Sequence, residues 1–227
     1  MTDQSFKAQI YEQFSRIGKA LSHPGRIEIL DLLSQGEKSV ESLTTHSQLG
    51  SKNTSAQLKE LKLARLVTSR KQGKHILYRL NDDSVLAFLH LLRRQSERQF
   101  PEIDSLNKKH LPKDESVIAL QDQSRVIEGA AEGSVVLLDV RPEDEFRAGH
   151  LPHAISIPIG DLKRRIPDIP RGKKLVVYCR GPYCVWAAQA VDTLLDRGFD
   201  AYRLEMGVSE WRLMGESVPK MESPDDK

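Results

Sequence analysis

Residues 176–190 read "VVYCRGPYCVWAAQA", and this stretch decides how the second half of the chain folds. An apolar run ends at Cys179, a short loop follows, and a helical pattern begins after Cys184. These are the only two cysteines of the chain. Four interpretations are open: a redox pair, a metal site, a nucleophile with a helper, or two small apolar side chains that are neighbours.

Length and composition predict two domains in a soluble protein. The chain has 227 residues, of which 39% are apolar, and domains usually contain about 100 to 150 residues. No apolar run approaches the roughly 20 residues that span a bilayer, and the polar start "MTDQSFKAQIYEQF" is unlike a signal peptide. We therefore expect a cytoplasmic protein without a membrane partner. Structural disulfides are uncommon there, so two close cysteines point first to reactivity or metal binding.

The formal net charge of +2 is unevenly distributed between the two halves of the chain. Residues 1–110 contain 18 Lys and Arg against 12 Asp and Glu, whereas residues 111–227 contain 16 against 20. A basic half joined to an acidic half suggests nucleic acid as the partner of the first half.

Helical periodicity dominates the first half. Ile10, Phe14, Ile17 and Leu21 fall on one face of a helix that stops before Pro24, and a second helix starts at that proline. A short helix, the polar turn "HSQLGS" and the helix "KNTSAQLKELKLARL" then form a helix-turn-helix. Its second helix opens with side chains whose length and hydrogen-bonding groups suit base edges and phosphates: Ser51, Lys52, Asn53, Thr54, Ser55 and Gln57.

A basic hairpin follows. The segment "LVTSRKQGKHILYRL" alternates and breaks at Gly73, which predicts a β-hairpin that reaches the phosphate backbone beside the groove. The residues around its tip are Arg70, Lys71, Lys74 and His75. A last helix runs from about Asp82 to Gln99 with apolar residues along one side.

The second half alternates strands and helices. "SVVLLDV" and "KLVVYC" are continuous apolar runs typical of strands covered on both faces, and "AYRLE" is a third strand. This order predicts an α/β domain with a mostly parallel sheet. The expected fold is therefore a mainly α winged helix-turn-helix domain followed by an α/β domain. We place the first domain at residues 1–99, a linker at 100–115 and the second domain at 116–227.

Cys179 stands where such sheets bind ligands, at the carboxyl end of a strand. The loop after it leads into a helix N-terminus, where backbone N–H groups and the helix dipole favour an anion. We expect a thiolate there to have a lowered pKa and to act as a nucleophile. Gly181 allows the loop to curl so that its amides face inward.

The first half resembles the ArsR/SmtB family of winged-helix repressors, through "ALSHPGRIEILDLL", the helix-turn-helix and the wing, over nearly all of residues 7–98. The resemblance implies a homodimer that pairs through the first and last helices and presents two recognition helices to operator DNA. Metal-sensing relatives carry cysteines where this chain has "SVESLTTH", and His90 stands alone on the last helix. We therefore expect no metal site and no cofactor.

The second half resembles a rhodanese domain, through "LLDVRPEDEFRAGHLPHAISIP", "YCRGPYC" and "GFDAYRLEMGVSEW". The resemblance implies that Cys179 carries sulfane sulfur as a persulfide. It also implies an anion-binding loop of Arg180, Gly181, Tyr183 and Cys184, with Arg141 as a candidate substrate contact near its mouth. The commonest loop pattern is C-x-x-G-x-R, but Pro182 stands at its glycine and Cys184 at its arginine. Cys184 is then either a resolving thiol or a small buried residue.

Three hypotheses of function remain. The first is a transcription regulator whose rhodanese-like domain senses or transfers sulfane sulfur, with a small sulfur donor or acceptor as partner. The second is a sulfurtransferase, from thiosulfate or a persulfide, whose DNA-binding domain controls its own operon. The third is a rhodanese fold that serves as a docking module without turnover. The first two are compatible, and they differ in whether sulfur state controls DNA affinity.

Overall fold

The computed structural model describes residues 3–111, 117–119 and 122–221. The chain divides into two compact units, Met1–Arg93 and Arg94–Lys227. Residues 112–116, where we predicted the linker to end and the second domain to begin, lie outside the described residues. So do residues 222–227, at the end of the predicted second domain.

The first unit holds helices around a small antiparallel sheet. Its elements in chain order are α1 (Asp3–Leu21), α2 (Pro24–Ser34), β1 (Lys38–Ser39), α3 (Val40–His46), α4 (Ser51–Leu63), β2 (Val67–Gln72), β3 (His75–Leu80) and α5 (Asp83–Gln99), which continues past residue 93. The sheet order is β1-β3-β2, and all pairs are antiparallel. Helices α3 and α4 form the predicted helix-turn-helix, and β2 and β3 form the predicted wing, with Gly73 at a φ of 57° in its turn.

Local sequence explains the start and the packing of these helices. Pro24 is the first residue of α2, and the His23 ring nitrogen Nδ1 accepts a hydrogen bond from the Gly25 amide at 3.1 Å. The core between α2, α3 and α4 is apolar, and Leu43, Leu58 and Leu61 are at most 1% exposed. Burial of such side chains, at about 1.5 to 3 kcal/mol each, holds α4 against the unit and leaves its first three residues, 51–53, exposed.

The second unit is an α/β domain. Its elements are α6 (Glu102–His110), β4 (Val117–Ile118), α7 (Gln123–Ala131), β5 (Val135–Asp139), α8 (Glu143–Ala148), β6 (Ile155–Ser156), α9 (Leu162–Arg165), a 3-10 turn (Ile166–Asp168), β7 (Lys174–Tyr178), α10 (Val185–Leu195), β8 (Ala201–Leu204) and α11 (Val208–Leu213). The sheet order is β4-β8-β7-β5-β6, and every pair is parallel.

Apolar side chains cover both faces of this sheet. On one face, side chains of α9 and α10 pack against Leu175 and Val177 of β7. On the other face, side chains of α7 and α11 pack against Val176 and Tyr178 of the same strand. The alternation along β7 follows from the two-residue period of a strand. Because β7 lies at the centre of the sheet, its carboxyl end is held by two neighbouring strands.

Two features differ from the sequence-based expectation. Segment 100–115, which we predicted as a linker without periodic structure, contains α6, and Lys108 pairs with Asp104 one helical turn away at 2.7 Å. The helix has no buried residue, so no apolar pattern marks it in the sequence. Strands β4 and β6 were also missed, because two residues are too short to show a period.

Candidate functional site

Cys179 immediately follows β7, at the carboxyl edge of the parallel sheet. Its side chain is 1% exposed and belongs to the apolar core on the α10 face. A disulfide joins its sulfur to that of Cys184, the N-cap residue of α10, with the two Cα atoms 6.1 Å apart. The loop thus brings both sulfurs together, which the sequence spacing left open.

The loop between the cysteines is a tight turn. Gly181 has a φ of 140°, which favours glycine, and the Cys184 amide donates to the Gly181 carbonyl at 3.2 Å. Pro182 has no N–H, and its carbonyl accepts a hydrogen bond from Nη1 of Arg203 at 2.8 Å. Of the four loop residues that we expected to cradle an anion, Cys184 therefore has its amide already engaged within the turn. Tyr183 is 41% exposed at the turn.

Arg180 is fixed by a carboxylate that the sequence analysis did not single out. Its Nε and Nη2 donate to the Glu145 carboxylate at 2.9 and 2.7 Å, and the Glu145 side chain is fully buried. On its other side, the guanidinium carbon lies 4.6 Å from the centre of the Trp186 ring. Arg180, which we predicted as part of the anion-binding loop, thus has its side-chain charge paired with Glu145.

The start of α11 packs against the back of the loop. A Cβ added at Gly207 would lie 2.8 Å from the carbonyl oxygen of Cys179 and from the carbonyl carbon of Arg180. Glu210 accepts a hydrogen bond from the Gly207 amide at 2.9 Å, and its side chain faces Gly181. These residues lie in "EMGVSEW", which carried the rhodanese resemblance, but the sequence alone gave no reason to place them at the loop.

Replacing Gly207 with alanine is expected to displace the loop and to destabilise the second unit by about 1 to 3 kcal/mol, because the added methyl group meets backbone rather than a flexible side chain. Urea unfolding followed by tryptophan fluorescence measures this, since both tryptophans belong to that unit. Gly160→Ala is the matched control, because nothing lies within 4 Å of its added Cβ. Equal stability of the two variants would contradict the packing described.

Arg141 is not at the mouth of the site, which corrects our expectation of a substrate contact. Its side chain is fully buried and donates to the Asp139 carboxylate, with Nη2 to Oδ2 at 2.6 Å, and to the Gly149 carbonyl at 2.8 Å. Burial acts to lower the pKa of Arg141, but the charge and hydrogen bonds of Asp139 raise it above its ordinary value. Burial also raises the pKa of the neighbouring Tyr178. Through its bonds to Asp139 and to the Gly149 carbonyl, Arg141 connects the end of β5 to the turn before β6.

Most of the predicted recognition-helix residues are at the surface. Ser51, Lys52, Asn53 and Ser55 are exposed at the start of α4. Thr54, which we predicted to contact DNA, is instead fully buried, and its hydroxyl donates to the Gly50 carbonyl at 3.2 Å. A helix opening with five polar residues gives no sign of which one points inward.

Gln57 and the wing complete this surface. Gln57 is half-buried, and its amide donates to Asn53 at 2.8 Å and accepts from Arg26 at 3.0 Å. On the wing, Lys71, Lys74 and His75 are exposed. Arg70 is engaged elsewhere, since its Nη2 lies 2.6 Å from Glu37. The exposed wing residues can reach a phosphate backbone without breaking an ion pair with Glu37.

Neither a metal site nor a membrane helix is found in the described parts of the chain. Across residues 3–111, 117–119 and 122–221, no three His, Cys, Asp or Glu side chains are grouped so that they could hold a metal ion. Within the same ranges, no helix is both long and apolar enough to cross a membrane.

Comparison with known proteins gives a family for each unit. The family model described as "Bacterial regulatory protein, arsR family" matches residues 23–69, and that described as "Rhodanese-like domain" matches residues 122–214. The arsenical resistance operon repressor of Staphylococcus xylosus is 44% identical over 73 residues, which are 32% of this chain and 70% of that protein. The putative sulfurtransferase YtwF of Bacillus subtilis is 30% identical over 90 residues, or 40% of this chain and 84% of that protein.

One relative spans both units. The HTH-type transcriptional regulator Rv0324 of Mycobacterium tuberculosis is 37% identical over 209 residues, which are 92% of this chain and 91% of that protein. A match of this length includes the helix-turn-helix, the wing and the cysteine loop. The chain belongs to the ArsR family of HTH-type transcriptional regulators, as a member in which a rhodanese-like domain follows the winged helix-turn-helix.

Proposed function

We propose that this regulator binds operator DNA as a homodimer and that its rhodanese-like domain senses sulfane sulfur through Cys179. Sulfane sulfur is a sulfur atom bound to another sulfur and transferable to a thiolate. The observation that supports the proposal is the Cys179–Cys184 disulfide at the end of β7, because an acceptor thiol and a resolving thiol need to come within bonding distance of each other. A DNA-binding regulator acts in the cytoplasm, where a disulfide is usually a transient, redox-sensing state rather than a structural bond.

The DNA-binding part of the proposal rests on exposed groups. Lys52, Asn53 and Ser55 stand at the N-terminal end of α4, which is the end that contacts base edges in helix-turn-helix proteins. Lys71 and Lys74 stand on the wing beside it and supply charge for phosphate contacts. Affinity should therefore depend steeply on salt.

The dimer part rests on apolar side chains that the first unit leaves at its surface. On α1, Phe6, Tyr11 and Phe14 are 53%, 63% and 67% exposed. On α5, Phe88 and Leu91 are 43% and 61% exposed. Large apolar groups clustered on two helices mark an interaction surface, and pairing α1 and α5 across a two-fold axis covers both helices with the same contact.

The sulfur chemistry takes two steps that balance. In the first, the Cys179 thiolate attacks the outer sulfur of a donor persulfide, a new S–S bond forms, and the donor thiolate leaves with the electron pair of the broken bond. In the second, the Cys184 thiolate attacks the inner sulfur of the Cys179 persulfide and displaces hydrosulfide. The two thiols are oxidised to a disulfide while the transferred sulfur is reduced to sulfide, so no further oxidant is required.

Intact-mass measurement of the reduced full-length protein tests this chemistry. After treatment with cysteine persulfide, the wild type is expected to lose two hydrogen atoms and release hydrosulfide. The Cys184→Ser variant is expected to gain one sulfur atom and retain it, because the second step is blocked. Cys179→Ser should do neither.

Each remaining outcome selects another function. If the mass of the wild type does not change, no hydrosulfide is released and Cys184→Ser gains no sulfur atom, the proposal is overturned and the domain is left as a docking module. Sustained turnover of thiosulfate with cyanide, combined with DNA affinity that ignores the sulfur state, makes the protein a sulfurtransferase rather than a sensor.

A further inference from the structure

Arg203 of β8 lies on the same face of the sheet as Cys179. It is the direct partner of Val177 in the neighbouring strand β7. Side chains directly opposite each other in a sheet point to the same face, and so do side chains two residues apart along a strand. Val177 and Cys179 both belong to the core on the α10 face, as does Ala201, two residues before Arg203. Arg203 is therefore a charged side chain on the apolar side of the sheet where the sulfur lies.

The guanidinium group of Arg203 reaches the cysteine loop. Its Nη1 donates to the carbonyl of Pro182 at 2.8 Å. Pro182 follows Cys179 along the chain, whereas the Arg203 Cα lies level with Val177, two residues before Cys179. Two strand residues span about 6.6 Å, a distance that an extended arginine side chain covers. The guanidinium group thus stands near the level of Cys179, about one strand spacing of 4.8 Å to the side.

The charge of Arg203 is buried, and the described residues stabilise it only in part. Its side chain is 4% exposed, and burial lowers the pKa of Arg203 below its ordinary value, with the charge of Glu205 offsetting part of this effect. The Glu205 carboxylate is 3.3 Å away and 42% exposed, so solvent screens it. Among the described residues, the buried Nε of Arg203 has no hydrogen-bond acceptor. A buried cation with an unused donor favours an anion beside it.

Other charged side chains at this edge of the sheet have partners of their own. These are Arg180 with Glu145, Asp139 with Arg141, and Glu210 with the Gly207 amide. Helix α10 begins with the uncharged residues 185–191, and its N-terminus contributes the positive end of the helix dipole. All these groups stay in place when Arg203 alone is replaced, so the effect of that replacement belongs to Arg203.

We propose that Arg203 is a positioning residue of the sulfur site. Its buried charge stabilises the anionic sulfur of Cys179, first as a thiolate and then as a persulfide, and its bond to Pro182 fixes the loop that carries this sulfur. The inference rests on the proposed function, because a stabilised anion at Cys179 is of use only where that residue accepts sulfur. An opposite charge nearby favours the ionised form of a thiol and so lowers its pKa.

The test follows the ionisation of Cys179 with pH in the reduced full-length Cys184→Ser protein, through the ultraviolet absorbance of the thiolate. The protein with both cysteines replaced by serine supplies the blank. In this background, Arg203→Gln is expected to raise the midpoint by about one pH unit, whereas Arg203→Lys keeps the charge and should change it by less than about half a unit. Arg171→Gln removes an equal charge from the exposed chain before β7 and is the matched control, which should change nothing.

Sulfur loading from cysteine persulfide, followed by intact mass, gives a second readout. Below the midpoint, Arg203→Gln should load about threefold more slowly than its parent, because about tenfold less thiolate is partly offset by the greater nucleophilicity of a more basic thiolate. Well above both midpoints, it should load at least as fast as its parent. A merely distorted loop would load slowly at every pH.

A measurement on the unsubstituted arginine keeps the inference testable if Arg203→Gln unfolds. In nuclear magnetic resonance spectra of nitrogen-labelled Cys184→Ser, the Nε–H signal of Arg203 is assigned by its absence from Arg203→Lys. We expect this signal to shift with pH at the same midpoint as the thiolate absorbance.

Three results overturn the inference while sulfur loading of Cys184→Ser leaves the proposed function intact. The midpoint is unchanged in Arg203→Gln, or Arg203→Lys raises it equally, or the Nε–H signal does not follow the thiolate. If Cys184→Ser takes up no sulfur at any pH, the proposed function is overturned, and the inference with it.

Discussion

Phe14→Glu is expected to convert the protein to a monomer and to weaken its binding to an operator duplex by at least about 100-fold. Phe14 is 67% exposed on α1 and is the most exposed of the apolar side chains that we assign to the dimer surface. A glutamate there places two carboxylates in an apolar interface across the two-fold axis, where neither finds a partner. Loss of the dimer removes the second recognition helix, and with it the gain in affinity from two linked contacts, which is typically 100- to 10,000-fold.

Ala8→Glu serves as the matched control for this variant. Ala8 is exposed on a different side of α1, six residues from Phe14, so it receives the same charge outside the apolar surface. Sedimentation gives the oligomeric state and fluorescence anisotropy of labelled DNA gives the affinity. If Phe14→Glu stays dimeric, or if it becomes monomeric with undiminished affinity, the assigned interface is wrong.

Asp139→Ala is expected to destabilise the second unit by about 3 to 5 kcal/mol. The Asp139 carboxylate accepts from the Arg141 amide and from Nε and Nη2 of its guanidinium, and both side chains are fully buried. Removal of the carboxylate leaves a buried positive charge beside the Tyr178 ring, which cannot replace a carboxylate. The pair stands between β5 and the turn that leads to β6, so the carboxyl edge of the sheet should loosen first.

Urea unfolding read by tryptophan fluorescence measures the cost, because Trp186 and Trp211 both lie in this unit. Asp104→Ala is the control, since its ion pair with Lys108 is exposed at the surface and should contribute less than about 1 kcal/mol. A cost for Asp139→Ala as small as that of the control would mean that the Arg141 charge is solvated or compensated in another way.

The sequence predicted most of the fold because its signals are local. The first-unit helices carry clear apolar periods or caps, as at Pro24, and Gly73 marks the wing turn. The central strands β5 and β7 are continuous apolar runs, so the parallel sheet and the position of Cys179 at its edge follow directly. Short elements and the exposed α6 carry no such signal.

The details of the site could not be predicted in this way because they depend on contacts between distant segments. Glu145 lies 35 positions before Arg180, and only the fold brings its carboxylate to the loop. Arg141 lies just past the carboxyl end of β5, which is where parallel sheets bind ligands, but its side chain is buried against Asp139. Thr54 is one polar residue among five at the start of α4, and the packing of the helix alone turns it inward.

We propose that sulfur state controls DNA affinity, and the dissociation constant for operator DNA measures this control directly. The dissociation constant for an operator duplex, selected from random sequence by the reduced protein, is measured at fixed salt before and after persulfide treatment. We predict a change of at least about tenfold in the wild type, reversed by dithiothreitol, and none in Cys179→Ser. The same dissociation constant for the reduced protein and for the disulfide-bonded protein would contradict the account.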